Sequence, residues 1–208
     1  KDKPDYVNNF SCLYNFLKEF PYTRTNIIVM ADNVSDETKE KLEKEASGIH
    51  IDYTSIGSSA GTFQNVFLDS LNFDDDAIIY FVENDYIHAP NAMMALLDGF
   101  NIGANYVTLY DHPDKYLRDY DYGKSTRVMK GDVCHWKMTI STTMTFAAKV
   151  KTLRDDSEIW TENTTGSYPT DHRAFTQLRE KGRILVSPIP GYSTHGETAW
   201  LSPFRNWG

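Results

Sequence analysis

Apolar and polar positions along this chain repeat with two different periods. Between Asn8 and Phe20, the residues Phe10, Leu13, Tyr14 and Leu17 recur at helical spacing, and Pro21 follows as a stop. Asn26 to Ala31 (NIIVMA) reads as a short buried strand. Ser35 then caps a charged amphipathic helix, DETKEKLEKEA, which ends at Gly48. Ile49 to Ile56 alternates as an exposed or edge strand does. Thr62 to Leu71 sets Phe63, Val66, Phe67 and Leu71 on one helical face. The apolar run that starts at Ala77 reads as a strand buried on both faces, and it stops on Glu83, Asn84 and Asp85. Pro90 opens the helix NAMMALLDGF, and Tyr106 to Tyr110 is a further strand. The alternation predicts an α/β domain with a mostly parallel, twisted central sheet and helices on both faces. Such a sheet ordinarily begins with a strand, so a first strand is expected upstream of Lys1.

The second half is patterned differently. Residues 111–131 are polar and tyrosine-rich, and Val133 to Ala148 carries strand-like Thr and Ile positions. Asp171 opens a helix stopped by Gly182, and Ile184 to Ile189 is a last buried strand. The tail from Gly191, with His195, Glu197, Trp200, Arg205 and Trp207, is expected to be a strap held by its tryptophans or a lid over a ligand. The chain is therefore expected to form one domain: residues 1–110 as one half, 111–190 as another, and 191–208 as the strap or lid.

Composition narrows the class. The 208 residues are enough for one well-buried domain, and 40% hydrophobic with 24% charged residues is ordinary for a globular protein. A formal charge of -8 argues against a nucleic-acid surface, which needs a basic stripe. Two cysteines, Cys12 and Cys134, are too few for a disulfide framework, which makes a reducing, cytoplasmic setting the expectation. No apolar stretch is long enough to span a membrane.

Chemistry concentrates at strand ends. Glu83 and Asp85, two residues apart on extended backbone, can point to the same side and hold a divalent cation; a solvated acidic turn is the plainer alternative. His195 can supply a nitrogen ligand, which suits Mn²⁺ better than Mg²⁺, or it can be a surface residue of a Gly/Ser/Thr turn. Asp171 is either a general base or a helix cap, and Arg205 either a phosphate partner or half of a surface ion pair. Tyr110, Tyr116, Tyr122, Trp136 and Tyr168 are candidate sugar platforms, with core packing as the alternative for each. Asp155, Asp156, Glu158 and Glu162 read as solvated charges, and His88 and His112 carry no spacing argument.

These features together resemble GT-A glycosyltransferases, in particular compact single-domain members from bacteria and large viruses. Their acidic "DXD" motif ends a central strand, where Glu83-Asn84-Asp85 stands here with Glu in place of the first Asp. The resemblance implies nucleotide contacts at Asp32 and Asn33 and, through the GSSAGTFQN segment, at Gly61 and Asn65. It likewise implies donor contacts at Glu83, Asn84 and Arg205, metal ligation at Asp85 and His195, and an acceptor-side acid at Asp171. Tyr110, Trp136 and Tyr168 are then the acceptor-side aromatics.

The implied activity is transfer of a sugar from a nucleoside diphosphate sugar, expected to be a UDP-sugar, to a glycan or other hydroxyl acceptor, assisted by Mn²⁺ or Mg²⁺. Inverting and retaining chemistry both stay open. Two other readings use the same acids: a metal-dependent hydrolase of phosphoesters or nucleotide sugars, and a non-catalytic nucleotide-sugar or glycan-binding module.

Overall fold

The computed structural model of the protein describes residues 2–116 and 127–208. In its first half, helices α1 (Asn9–Glu19), α2 (Asp36–Glu45), α3 (Ser59–Ser70) and α4 (Ala92–Asn101) are interleaved with strands β1 (Ile28–Asp32), β2 (His50–Thr54), β3 (Ile78–Phe81), β4 (Tyr86–His88) and β5 (Tyr106–Val107). There follow β6 (Val128–Lys130), β7 (His135–Thr139), β8 (Phe146–Lys149), α5 (Val150–Asp155), α6 (Ser157–Asn163) and α7 (Asp171–Glu180). The described elements close with β9 (Leu185–Ile189) and β10 (Ser193–His195). The first-half helices begin where local chemistry places them: the Asn8 side chain accepts from two α1 amides, and Ser35 and Ser58 cap α2 and α3.

The protein is an α/β domain, but its sheet is mixed rather than mostly parallel. Six strands run in the order β3-β8-β5-β9-β7-β6. Only β5 and β9 pair in parallel within this sheet; β8 lies antiparallel between β3 and β5. The cause is in the second half, where β8 follows a tight turn at Thr143 and Met144, both with left-handed φ (52° and 56°), instead of a crossover helix. β1 and β2 form a separate parallel pair, and β4 and β10 an antiparallel one.

Alternation along the central strands divides the core in two. Tyr106, Phe146, Ala148 and Leu185 face one side, where Phe67 of α3, Leu153, Trp160 and Phe175 cover them. Val107, Ala147 and Val186 face the other, against Phe20 and against Ala92, Ala95 and Leu96 of α4. Helices therefore cover both faces. Gly99 lets α4 approach closely, since a Cβ there would stand 2.6 Å from the Val107 side chain. Asp156, expected to be solvated, is 1% exposed; it accepts hydrogen bonds from Tyr106, Lys181 and Arg183 and ties α6 to the sheet. Trp136 is likewise a core residue and not a sugar platform: it is fully buried and donates its indole N–H to Asp98.

Helix α1 is joined to β4 by a side chain that imitates a strand. Asn15 donates to the His88 carbonyl (2.9 Å) and accepts from the His88 N–H (2.6 Å). The His88 ring, 2% exposed, packs edge-on against the stacked rings of Phe16 and Phe20 and hydrogen-bonds the Tyr80 hydroxyl at 2.9 Å. Burial pushes its pKa down from 6.5 to about 3. The unfolded chain therefore takes up a proton that the folded protein refuses, and stability falls as pH drops from 6.5 toward about 3. Acidification from pH 7 to 5 is expected to remove about 2 kcal/mol. His88→Phe should flatten that slope in denaturant melts recorded across the same range.

Candidate functional site

The strand run that ends in acids turns a corner at those acids. Phe81 closes β3, Glu83-Asn84-Asp85 forms the link, and Tyr86 opens β4. Pairing of Tyr86 with His195 in the β4–β10 ladder brings the tail alongside, and the Gly196 N–H donates to the Asp85 carbonyl at 2.7 Å. A Cβ at Gly196 would meet that carbonyl oxygen at 2.7 Å, so only glycine fits. As a result one ligand atom from each of Glu83, Asp85 and His195 lies within 4.8 Å of the others. Glu83 and Asp85 are partly buried and His195 is buried.

Two further charges complete the cluster. Glu197 Oε1 is 4.0 Å from His195 Nε2, which is itself 3.3 Å from Asp85 Oδ2. The Lys3 ammonium reaches Asp85 Oδ2 at 3.1 Å, held there by the Thr198 N–H donating to the Asp2 carbonyl. Burial alone would raise the Asp85 pKa, but hydrogen bonding and charge from His195, then from Lys3, hold it down at about 2. Asp85 is thus a permanent carboxylate on which a cation already rests. Two carboxylates and an imidazole make a donor set suited to a divalent metal ion. The separated positions Glu83, Asp85 and His195 are brought together as the sequence suggested; Lys3 and Glu197 carried no periodic or motif signal that pointed to them.

Asp32 ends β1 but does not face outward. Its carboxylate accepts from the N–H groups of Ile56 (2.6 Å) and Gly57 (2.9 Å) and from the Thr54 and Thr62 hydroxyls. Burial would raise its pKa; those bonds outweigh it and lower the value. Asp32 is therefore a brace that shapes the loop from β2 into α3. Asn33 (φ 52°) lines a cleft of about 230 Å³ together with Ala31, Val34, Lys39, Tyr53, Thr54 and Ser55. This cleft lies beyond the carboxyl ends of two parallel strands, where open α/β sheets bind ligands. Gly61 is in the first turn of α3 with its N–H on Ser58 Oγ, and Asn65 is exposed one turn later.

Asp171 does not cap its own helix. Its Oδ2 accepts from the N–H groups of Thr142 (3.0 Å) and Thr143 (2.9 Å), so it pins the turn that precedes β8. Its Oδ1 takes no hydrogen bond from the described residues, and the buried Thr142 Oγ1 beside it has no partner among them. Arg205 is engaged elsewhere than the sequence suggested. It donates to the Gly191 carbonyl at 2.6 Å and packs over the Tyr192 ring, fastening the tail. Tyr110 is fully buried, and its hydroxyl donates to the Trp200 carbonyl at 2.7 Å, so it tethers the tail and offers no platform. Tyr168 is 77% exposed on the connection into α7. Tyr122 lies outside the described residues.

A charged group that spacing did not flag lies next to the pinned turn. Asp111, fully buried, pairs with Lys137 at 2.6 Å and accepts from the Tyr116 hydroxyl at 2.6 Å. His112 Nδ1 lies 2.6 Å from Asp114. Lys115 donates to the Ser141 carbonyl at 3.2 Å. Their only common signal was the polar, tyrosine-rich composition of that stretch.

No family model and no curated protein matches this chain. Among solved structures, the crystal structure of A197 from STIV is similar over 88% of this chain and 92% of that one, at 12% identity and a TM-score of 0.46. No helix among the described residues is long and apolar enough to cross a membrane. Cys12 and Cys134 are both free thiols.

Lys3 and a metal ion would compete for Asp85. Lys3→Ala is accordingly expected to tighten Mn²⁺ binding about fivefold in a calorimetric titration; unchanged affinity would show that the ammonium does not occupy the cation position. Asp171→Ala should cost about 2 kcal/mol in chemical denaturation, by orphaning two amides. Asp171→Asn keeps an acceptor oxygen in place and should recover most of that loss.

Proposed function

We propose that the protein is a metal-dependent glycosyltransferase that moves a sugar from a nucleoside diphosphate sugar, a UDP-sugar in the first instance, to a hydroxyl acceptor. The observation that carries this reading is the convergence of Glu83, Asp85 and His195 at the end of β3. A cleft lies at the carboxyl ends of the neighbouring parallel strands, and a carboxylate stands by on the pinned turn.

Departure of a nucleoside diphosphate builds negative charge on its terminal phosphate. A divalent cation held by Asp85 and His195, with Glu83 beside them, would stabilise that charge. The nitrogen ligand favours Mn²⁺ over Mg²⁺. Lys3 is already close enough to Asp85 to turn its ammonium toward a phosphate oxygen once the carboxylate is otherwise engaged. The cleft by Asn33 and Tyr53 has room for a flat base, and Asp32 keeps the loop that forms its rim in place.

Asp171 has the features of a general base for an inverting transfer. One oxygen is fixed by two backbone amides, which orients the carboxylate, while the other takes no bond from the described residues. An acceptor hydroxyl that reaches Oδ1 would lose its proton there as it attacks the anomeric carbon.

The test is a thermal-shift panel of nucleotide sugars with and without Mn²⁺. A bound donor near a hundred times its dissociation constant should raise the midpoint by roughly 5 °C or more. The shift should require Mn²⁺, vanish in Asp85→Ala and weaken in His195→Ala. Absence of any response to nucleotide sugars would overturn the proposal, and turnover to free sugar or phosphate at full rate without an acceptor would replace it by the hydrolase reading.

A further inference from the structure

Near the pinned turn, three aromatic rings stand partly or largely in solvent. Trp200 is 41% exposed, Tyr116 44% and Phe204 73%. Phe204 adopts φ 67°, a conformation that costs a bulky residue energy, and in it the ring is left in solvent at 5.6 Å from Tyr116. Trp200 packs at 5.1 Å, tilted, against His112, whose pair with Asp114 fixes its orientation. Large apolar rings held outward by strain and by a polar partner are poorly explained by core packing. They suit the C–H faces of a sugar ring.

The same patch contains a lysine, Lys115, that forms no direct ion pair among the described residues, although Asp111, Asp114 and Asp171 act on its charge. Lys137 is balanced by Asp111 and covered by the Tyr116 ring at 4.1 Å. Lys115, next to it, is partly buried, and no carboxylate among the described residues forms an ion pair with it. Its one hydrogen bond runs to the Ser141 carbonyl. Burial, and then the charge of Lys137, push its pKa down to about 8, against the opposing charges of Asp111, Asp114 and Asp171.

Ser141 links this cation to the reaction centre. Its carbonyl holds Lys115, and the next two residues donate their N–H groups to Asp171. The patch is also joined to the metal-ligand cluster by rings in contact. His195 packs on Tyr86, Tyr86 on Tyr110, Tyr110 on His112, and His112 on Trp200. Phe204 packs at 5.6 Å on Tyr116, the residue after Lys115, so the exposed rings and the cation lie on contacting segments.

We propose that this patch binds a sugar bearing a carboxylate or phosphate, with the anionic group on Lys115 and the sugar ring against Trp200 and Phe204. Its assignment as the acceptor subsite rests on the transferase reading; recognition of the anionic sugar does not.

The test is calorimetric titration of the full chain, without nucleotide or metal, using glucuronate, glucose 6-phosphate, glucose and inorganic phosphate. At least one of the two anionic sugars should bind about tenfold more tightly than both glucose and inorganic phosphate. Lys115→Met should remove that preference. Phe204→Ala, which changes an exposed ring and leaves the fold alone, should weaken the anionic sugar and spare inorganic phosphate. Asp85→Ala should leave all of this intact while abolishing metal-dependent nucleotide binding, so failure of the donor-site reading is distinguishable from failure here. The proposal is overturned if neither anionic sugar binds, if glucose or inorganic phosphate binds as tightly as both of them, or if a folded Lys115→Met keeps the preference. It is equally overturned if Phe204→Ala leaves anionic-sugar binding unchanged.

Discussion

The antiparallel ladder between β4 and β10 pairs Tyr86 with His195, Ile87 with Thr194 and His88 with Ser193. Side chains alternate across a ladder, so a slip of one residue would turn His195 away from Asp85 and dissolve the cluster. Three constraints hold the register. Gly196 admits the Asp85 carbonyl where no side chain could stand, Asn15 clasps the His88 backbone from α1, and the Tyr86 ring is fully buried between Tyr110 and His195. With the register set, the tail beyond His195 lies over the first residues of the chain. Lys3, Glu197 and Trp200 then take their places from it.

Buried polar groups in this protein fall into two kinds. Asp156 and Asp98 are nearly inaccessible, and each is surrounded by donors: Tyr106, Lys181 and Arg183 around the first, Trp136 and two backbone amides around the second. Such satisfied networks hold elements in one arrangement and leave nothing over for a ligand. Around the turn at residues 141–143 the accounts do not close. Thr142 Oγ1 has no partner among the described residues, Asp171 uses one oxygen of two, and Lys115 has a carbonyl where an anion would suit it. Incomplete satisfaction of this kind calls for an explanation, and a ligand is one.

Much of the first half was legible because its signals are local. Helical spacing placed α1, a serine cap placed α2, and the apolar run placed β3 within a residue or so of its end. The same local reasoning misjudged Asp156, since an acid on a short amphipathic stretch looks solvated until the helix around it is packed against the sheet. Arg205, Tyr110 and Trp136 failed for the same reason: each has a chemistry that suits a sugar nucleotide or a sugar, and each is already committed to the Gly191 carbonyl, the Trp200 carbonyl or Asp98. The three-residue strands β4 and β10 are too short to announce themselves by pattern, although the site depends on them.

The sequence by itself determined the alternation of helices and strands, the α/β class, and the acids that follow β3, because periodicity, caps and apolar runs act within a few residues. That β3 is an edge strand of the sheet rather than a central one was settled by the tertiary structure. Only the tertiary structure decided the antiparallel entry of β8, the union of Asp85 with a histidine from the far end of the chain, and the conversion of Asp32 into a loop brace. It also decided which charged residues are directly paired and which, like Lys115, form no ion pair among the described residues. Those outcomes depend on contacts between residues many positions apart, and the balance of burial against pairing at each of them exists only once the chain has closed on itself.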